Sequence, residues 1–232
     1  MKKISIVIPV YNEEKYIAQV IKRVLKSKTG NLKKEIIVID DGSTDKSVAS
    51  IKKIKGIMLI ELKKNIGKGW AVKQGILKST GDLVIVQDAD LEYDPNDYPT
   101  LIEPFMKNDA DVVYGSRFIS NRPHRVLYFW HYIGNIFLTT LSNMFTNLNL
   151  TDMETGYKIF KGDIIRKVAL QLESRRFGFE PEVTARISKI KNIKVYEVGI
   201  SYSGRTYLEG KKINWRDGVK AIWEIAKYNL FS

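Results

Sequence analysis

Three short acidic runs mark the places where this chain can do chemistry. Each directly follows a stretch of apolar residues. Tyr11-Asn12-Glu13-Glu14 follows residues 4–10, Asp40-Asp41-Gly42-Ser43-Thr44-Asp45 follows residues 35–39, and Asp88-Ala89-Asp90-Leu91-Glu92 follows residues 83–86. Carboxylates gathered at one site repel each other unless a cation, or hydroxyl and N–H donors, lies between them. Asp88 and Asp90, with Glu92 beyond them, offer hard oxygens to a divalent cation such as Mg2+ or Mn2+, which keeps waters and takes further oxygens from a diphosphate. Alone, an Asp-x-Asp is more often a solvated turn or a helix cap. Three such runs at the ends of apolar stretches argue for a site.

The elements that must position these runs follow from hydrophobic spacing. Strands are expected at residues 4–10, 35–39, 57–62, 83–86 and 111–114. Between them, Ile17, Val20, Ile21, Val24 and Leu25 recur at helical spacing, and further helices are expected through Val48 and Ile51, over 70–78 and around 101–106. Strands alternating with helices imply right-handed crossovers and a mainly parallel sheet covered on both faces. In such a sheet the strand carboxyl ends share one edge, so the three acidic runs converge there. Gly67-Lys68-Gly69 lacks both the third glycine of a dinucleotide loop and the Gly-Lys-Ser/Thr ending of a Walker loop, so it reads as a turn that opens a helix.

The second half is less regular. Residues 126–151 contain no Asp, Glu, Lys or Arg and are rich in aromatics. Their length would permit a membrane span, but His131, Asn135, Thr139, Thr140, Ser142 and Asn143 make that expensive, so one or two helices in the core or at an interface are expected. Helices are also expected over 163–172 and 181–190, and a strand through Tyr196, Val198, Ile200 and Tyr202. Residues 215–231 form an amphipathic pattern suited first to core packing and second to a membrane surface.

The chain's 232 residues suffice for one sizeable domain, and no linker divides them. The absence of cysteine excludes disulfides, thiolate metal sites and cysteine nucleophiles. The basic start runs into Asn12-Glu13-Glu14 too soon for a signal peptide. A net charge of +12 attracts phosphates without choosing among them, and no RNA-recognition fingerprint accompanies it, so no nucleic acid partner is expected.

VIPVYNEE, DDGSTD, KNIGKG, QDADLEYDP, GSR and TGYKIF, in this order, resemble the family-2 glycosyltransferases of GT-A fold, and within them the dolichyl- and polyprenyl-phosphate mannose or glucose synthases. The likeness extends from residue 4 to about residue 218. It implies a single α/β domain over 1–232, Rossmann-like, with a mainly parallel central sheet flanked by helices. Residues 1–118 would be the nucleotide-sugar-binding half, and 119–232 the acceptor half with its amphipathic C-terminal helix. By the same resemblance Pro9, Tyr11, Glu13 and Asp41 hold the nucleoside, while Asp88, Ala89, Asp90 and Glu92 hold the diphosphate and its Mg2+ or Mn2+. GRTYLEGKKI resembles the segment that closes over the donor, making Arg205 and Lys211 phosphate contacts. Arg117 in GSR falls where this family binds the lipid phosphate, with Arg125 and His131 as helpers.

The expected reaction is inverting, metal-dependent transfer of a hexose from GDP-mannose or UDP-glucose to a dolichyl or undecaprenyl phosphate. Asp90, Arg117 and Arg205 would be its catalytic residues, and the protein would sit in the cytoplasm, peripheral on the cytoplasmic face of the membrane. A phosphate anion attacks without a side-chain base. The alternative acceptor, a saccharide hydroxyl, needs one, and Asp152 or Glu154 is placed to serve.

Overall fold

Unbroken apolar strands need cover on both faces, and the chain provides it. The structure is a computed structural model that describes residues 1–119, 125–126, 128–176, 178–205 and 215–231. Along the chain come β1 (Lys3–Val10), α1 (Ile17–Lys26), β2 (Lys33–Asp40), α2 (Ser47–Ile51), β3 (Met58–Glu61), α3 (Lys68–Lys78) and β4 (Leu83–Val86). Then follow α4 (Tyr98–Lys107), β5 (Val112–Ser116), α5 (Phe129–Thr146), β6 (Lys158–Lys161), α6 (Gly162–Gln171), α7 (Phe179–Ser188), β7 (Val195–Gly199) and α8 (Trp215–Leu230). The strands form one seven-stranded sheet in the order β3-β2-β1-β4-β6-β5-β7. All neighbours are parallel except β6, which runs antiparallel to both β4 and β5.

Alternation along β1 shows how the sheet is covered. Ile4, Ile6 and Ile8 enter one core with Ile17 and Val20 of α1 and Leu101 and Phe105 of α4. Val7 points the other way, toward Val72 of α3, Val168 of α6, Val183 of α7 and Ile225 of α8. Each such side chain gains about 1.5–3 kcal/mol by leaving water.

Two elements depart from the sequence reading. β6 was not expected, because Lys158 and Lys161 interrupt its apolar pattern; yet Lys158 is 1% exposed. The strand expected through Tyr202 ends at Gly199, after which Tyr202 makes an isolated antiparallel bridge to Tyr93.

Within residues 126–151 lies one helix, α5 (Phe129–Thr146), and its faces are inverted. Its buried side chains are Thr139, Ser142 and Thr146, whereas Phe129, Trp130, Ile133, Phe137 and Met144 are exposed. Polar groups tie the inner face down: Thr139 Oγ1 accepts from Met153 N at 3.1 Å, and the Asn143 amide bonds both the N–H and the carbonyl of Leu150. Asn147, in the left-handed region at φ +53°, ends the helix. On α8, Ala221, Ile225 and Tyr228 are buried while Val219, Trp223 and Leu230 remain exposed. Among the described residues no helix is long and apolar enough to cross a membrane.

Candidate active site

The parallel strands bring their carboxyl ends together as expected. Loops after β1 and β2 are laced to each other: Asn12 N donates to Ser43 Oγ, Thr44 N to Asn12 Oδ1, and Glu13 N to Ser47 Oγ, all within 3.0 Å. Pro9 pairs with Ile39 across β1 and β2, and Tyr11 stands partly exposed beyond it. Asp41 accepts from Ile66 N, Gly67 N and Asn65 Nδ2 at 2.7–2.9 Å, while burial raises its pKa. That carboxylate anchors the turn into α3 and has little capacity left for a nucleoside. Gly67 makes the turn possible, for its φ of +124° and the Arg175 carbonyl 2.2 Å from where a Cβ would lie leave no room for a side chain. Neighbouring Asp40 was not singled out from the sequence, but its buried Oδ1 has no partner among the described residues.

Beyond β4, the acidic run divides its labour. Asp88 Oδ1 lies 2.9 Å from Lys68 Nζ, which also meets Glu180 Oε1 at 3.0 Å. Burial alone would lower the Lys68 pKa, but Asp88 and then Glu180 outweigh it and raise it. Ala89 is buried between the two aspartates. Asp90 Oδ1 accepts from Glu92 N at 3.1 Å, and among the described residues its Oδ2 has only a 3.7 Å contact with Arg205 Nη2. Glu92 is occupied on both oxygens, by Tyr202 OH at 2.7 Å and Arg205 N at 2.8 Å. Arg205 also reaches Glu13 Oε2 at 3.2 Å, donates Nε to the Asp90 carbonyl at 3.0 Å, and stacks on Tyr16 with 4.7 Å to the ring centre. Arg205 therefore joins the first and third acidic runs. Lys211 lies outside the described residues.

Among the described residues no three carboxylate or imidazole groups gather closely enough to form a metal cage. Mg2+ and Mn2+ do not require one, since they take one or two carboxylates plus substrate phosphates and water. Asp90, with its unengaged Oδ2, fits that donor set, and Asp88 stands beside it. Glu92 does not; its side chain fixes Tyr202 and Arg205.

Two of the residues expected to meet the acceptor, Arg117 and Arg125, belong to a second centre. Arg117 donates Nε and Nη2 to the two oxygens of Asp152, each at 2.7 Å, and Nη2 also to Asn135 Oδ1 at 3.0 Å. Asp152 is fully buried, and although burial opposes it, this carboxylate raises the Arg117 pKa. Arg125 donates Nη1 to the Gly204 carbonyl at 3.0 Å. Arg117 and Arg125 line a cleft of about 430 Å³ together with Phe118, Val126, Phe129, Tyr132 and Tyr202. His131 is not part of that lining; its carbonyl caps the Asn135 amide at 2.7 Å and its ring lies 6.0 Å from Tyr128. Tyr202 is thus a contact that sequence reasoning missed.

A carboxylate-lined strand edge, a guanidinium at its rim and a basic cleft alongside define a class: nucleotide-dependent group-transfer enzymes. Residues 5–169 match the family model described as glycosyl transferase family 2, and the chain belongs to that family. It is a glycosyltransferase. Over 181 residues it is 30% identical to the dodecaprenyl-phosphate galacturonate synthase of Rhizobium johnstonii, covering 75% of this chain and 52% of that protein; the chain thus spans about half the length of that relative. It is also 30% identical to a dolichyl-phosphate beta-glucosyltransferase of Dictyostelium discoideum, covering 91% of this chain and 68% of that one. The glucosyl-3-phosphoglycerate synthase of Mycobacterium tuberculosis, solved with Mn2+, UDP and phosphoglyceric acid, shares the fold at a TM-score of 0.74, with 18% identity over 100% of this chain and 80% of that one.

Proposed function

We propose that this glycosyltransferase moves a hexose from a nucleotide-diphosphate sugar, GDP-mannose or UDP-glucose, to a polyprenyl phosphate, with inversion at the anomeric carbon. One observation carries the reading. The cleft that holds Arg117 and Arg125 is walled by Phe118, Val126, Phe129 and Tyr132, and α5 continues from it as an exposed apolar face. A guanidinium suits a phosphate head, and an aromatic wall suits the isoprenoid tail attached to it. Names of the relatives, a dodecaprenyl-phosphate galacturonate synthase and a dolichyl-phosphate beta-glucosyltransferase, agree with such an acceptor.

In this reading the loops after β1 and β2 hold the nucleoside, and Asp90 with Asp88 carries the Mg2+ or Mn2+ bound to the diphosphate. The bound ion supplies Lewis-acid charge against the leaving diphosphate. Arg205, held between Glu13 and Asp90, adds a second positive charge there. Arg117 orients the acceptor phosphate, already an anion, for attack from the opposite side. Exposed Phe129, Trp130 and Phe137 of α5, and Trp223 of α8, seat the enzyme peripherally on the cytoplasmic leaflet.

The rival acceptor, a saccharide hydroxyl, needs a base. Asp152 is committed to Arg117, but the Glu154 pKa, pushed up to about 7 chiefly by burial, keeps that reading in play. Incubating the protein and Mn2+ with several nucleotide sugars and either a polyprenyl phosphate or soluble saccharides decides between them. Lipid-linked sugar from one donor, lost with Asp90→Asn, is expected; product only with a saccharide selects the rival.

A further inference from the structure

The segment from Asp152 to Gly156 runs between the two ends of the site. Asp152 grips Arg117 at the acceptor end. At the donor end Gly156 lies so close that an added Cβ would stand 2.4 Å from Asp88 Oδ2. Glu154 sits midway, where Glu180, Lys158, Arg117 and Asp152 all act on its charge. The donors around it are spent elsewhere. Lys158 Nζ donates to the Thr155 carbonyl, and Lys68 is shared by Asp88 and Glu180. Glu154 Oε1 is buried with no hydrogen-bond partner among the described residues.

A buried oxygen without a donor is costly, and such an atom calls for an explanation. The residue is partly exposed, and the terminal torsion of a glutamate is soft, so its carboxyl can turn toward an arriving donor. Any sugar in transfer must span the distance from the diphosphate at Asp90 to the phosphate at Arg117, and Glu154 lies on the segment that joins those two ends. Resting on the function proposed above, we propose that Glu154 accepts a hydrogen bond from a hydroxyl of the donor's sugar ring and so selects which hexose is transferred. Glu180, 3.0 Å from Lys68, adds a second carboxylate whose charge acts on Glu154. A sugar bearing its own carboxylate meets repulsion here, and a neutral hexose is the class that fits.

Isothermal titration of the intact chain with Mn2+ tests this by comparing UDP-glucose with UDP, and GDP-mannose with GDP. In Glu154→Ala the affinity added by the sugar should fall about tenfold, while affinity for the bare nucleotide holds. Glu154→Gln, which keeps the shape and a weaker acceptor, should show a smaller fall and guards against misfolding of the alanine variant. Single-deoxy analogues of the active donor locate the contact: one should bind more weakly to the wild type yet lose nothing further in the variant. An unchanged sugar increment with a reduced kcat would make Glu154 an acceptor base and overturn the proposal, as would preference for a uronic-acid donor. Failure of the wild type to bind either nucleotide or to turn over either sugar would instead bring down the transferase reading, a result distinct from losing the sugar increment alone.

Discussion

Both oxygens of Asp41 and of Glu92 have donors, whereas along α5 most of the large apolar side chains are exposed and Thr139, Ser142 and Thr146 are buried. The edge proposed for the donor is tied largely by the protein's own contacts; the side proposed for the acceptor leaves an apolar face uncovered. A nucleotide is small and meets a preorganised pocket, so its loops can be fixed in advance. In the proposed function a long isoprenoid and a bilayer would be too large for a single domain of this size to enclose, and an exposed apolar face would meet them instead.

The largest effect should follow from breaking the donor edge. Asp90→Asn is expected to lower the rate of sugar transfer by roughly a hundredfold or more, measured at saturating Mn2+, because the least engaged carboxylate would lose its charge. Chelation of the divalent ion in the wild type should match it; full activity in chelator would place both centres on an equal, metal-free footing. Next comes the buried pair. Asp152→Asn leaves Arg117 inside the protein without its counter-charge and should cost about 3–5 kcal/mol in urea unfolding. A cost under about 1 kcal/mol would mean that the acceptor centre is far wetter than the geometry indicates.

Smaller effects sharpen the contrast from the other side. Replacing Phe129 and Trp130 together with serine should change folding stability by only about 0.5 kcal/mol, since both side chains are exposed, yet reduce flotation with anionic vesicles severalfold. Equal flotation would leave α5 without a membrane role. Least of all should be Glu35→Gln, far from either centre. Burial opposes it, but bonds from Lys3, Ser5 and Thr80 hold the Glu35 pKa down to about 2 from an ordinary 4.5. Its contribution is therefore complete above 4.5 and is lost as the pH falls toward 2. The variant should lose about 1 kcal/mol at neutral pH, after allowance for solvent screening, and show a flatter acid limb in thermal melts, with transfer unchanged.

The donor edge was legible in the sequence because its signals are local. An apolar run followed by carboxylates announces both a strand and what stands at its end, and Asp90 is where that rule put it. β6 escaped because the lysine at its start is buried: Lys158 Nζ donates to the Thr155 carbonyl and lies over the ring of Tyr114, supplied by β5 much earlier in the sequence. No spacing rule reaches that far. The inversion of α5 escaped for another reason. Hydropathy shows that a helix has two unlike faces, but not which one the rest of the fold leaves uncovered. Glu92 shows a third limit: its place beside Asp88 and Asp90 suggested a ligand, whereas both its oxygens are taken by Tyr202 and Arg205.

The antiparallel β6 has a consequence for how the chain is made. β4 and β5 do not touch; β6 lies between them and pairs with both. As the polypeptide leaves the ribosome, the first four strands can assemble alone, but the fifth has no seat until residues 158–161 emerge. Throughout that interval β4 keeps a bare edge, an invitation to wrong pairing. A gene split after residue 118 would freeze the nascent chain at that stage, with β4's edge bare and β5 unseated until the second piece binds.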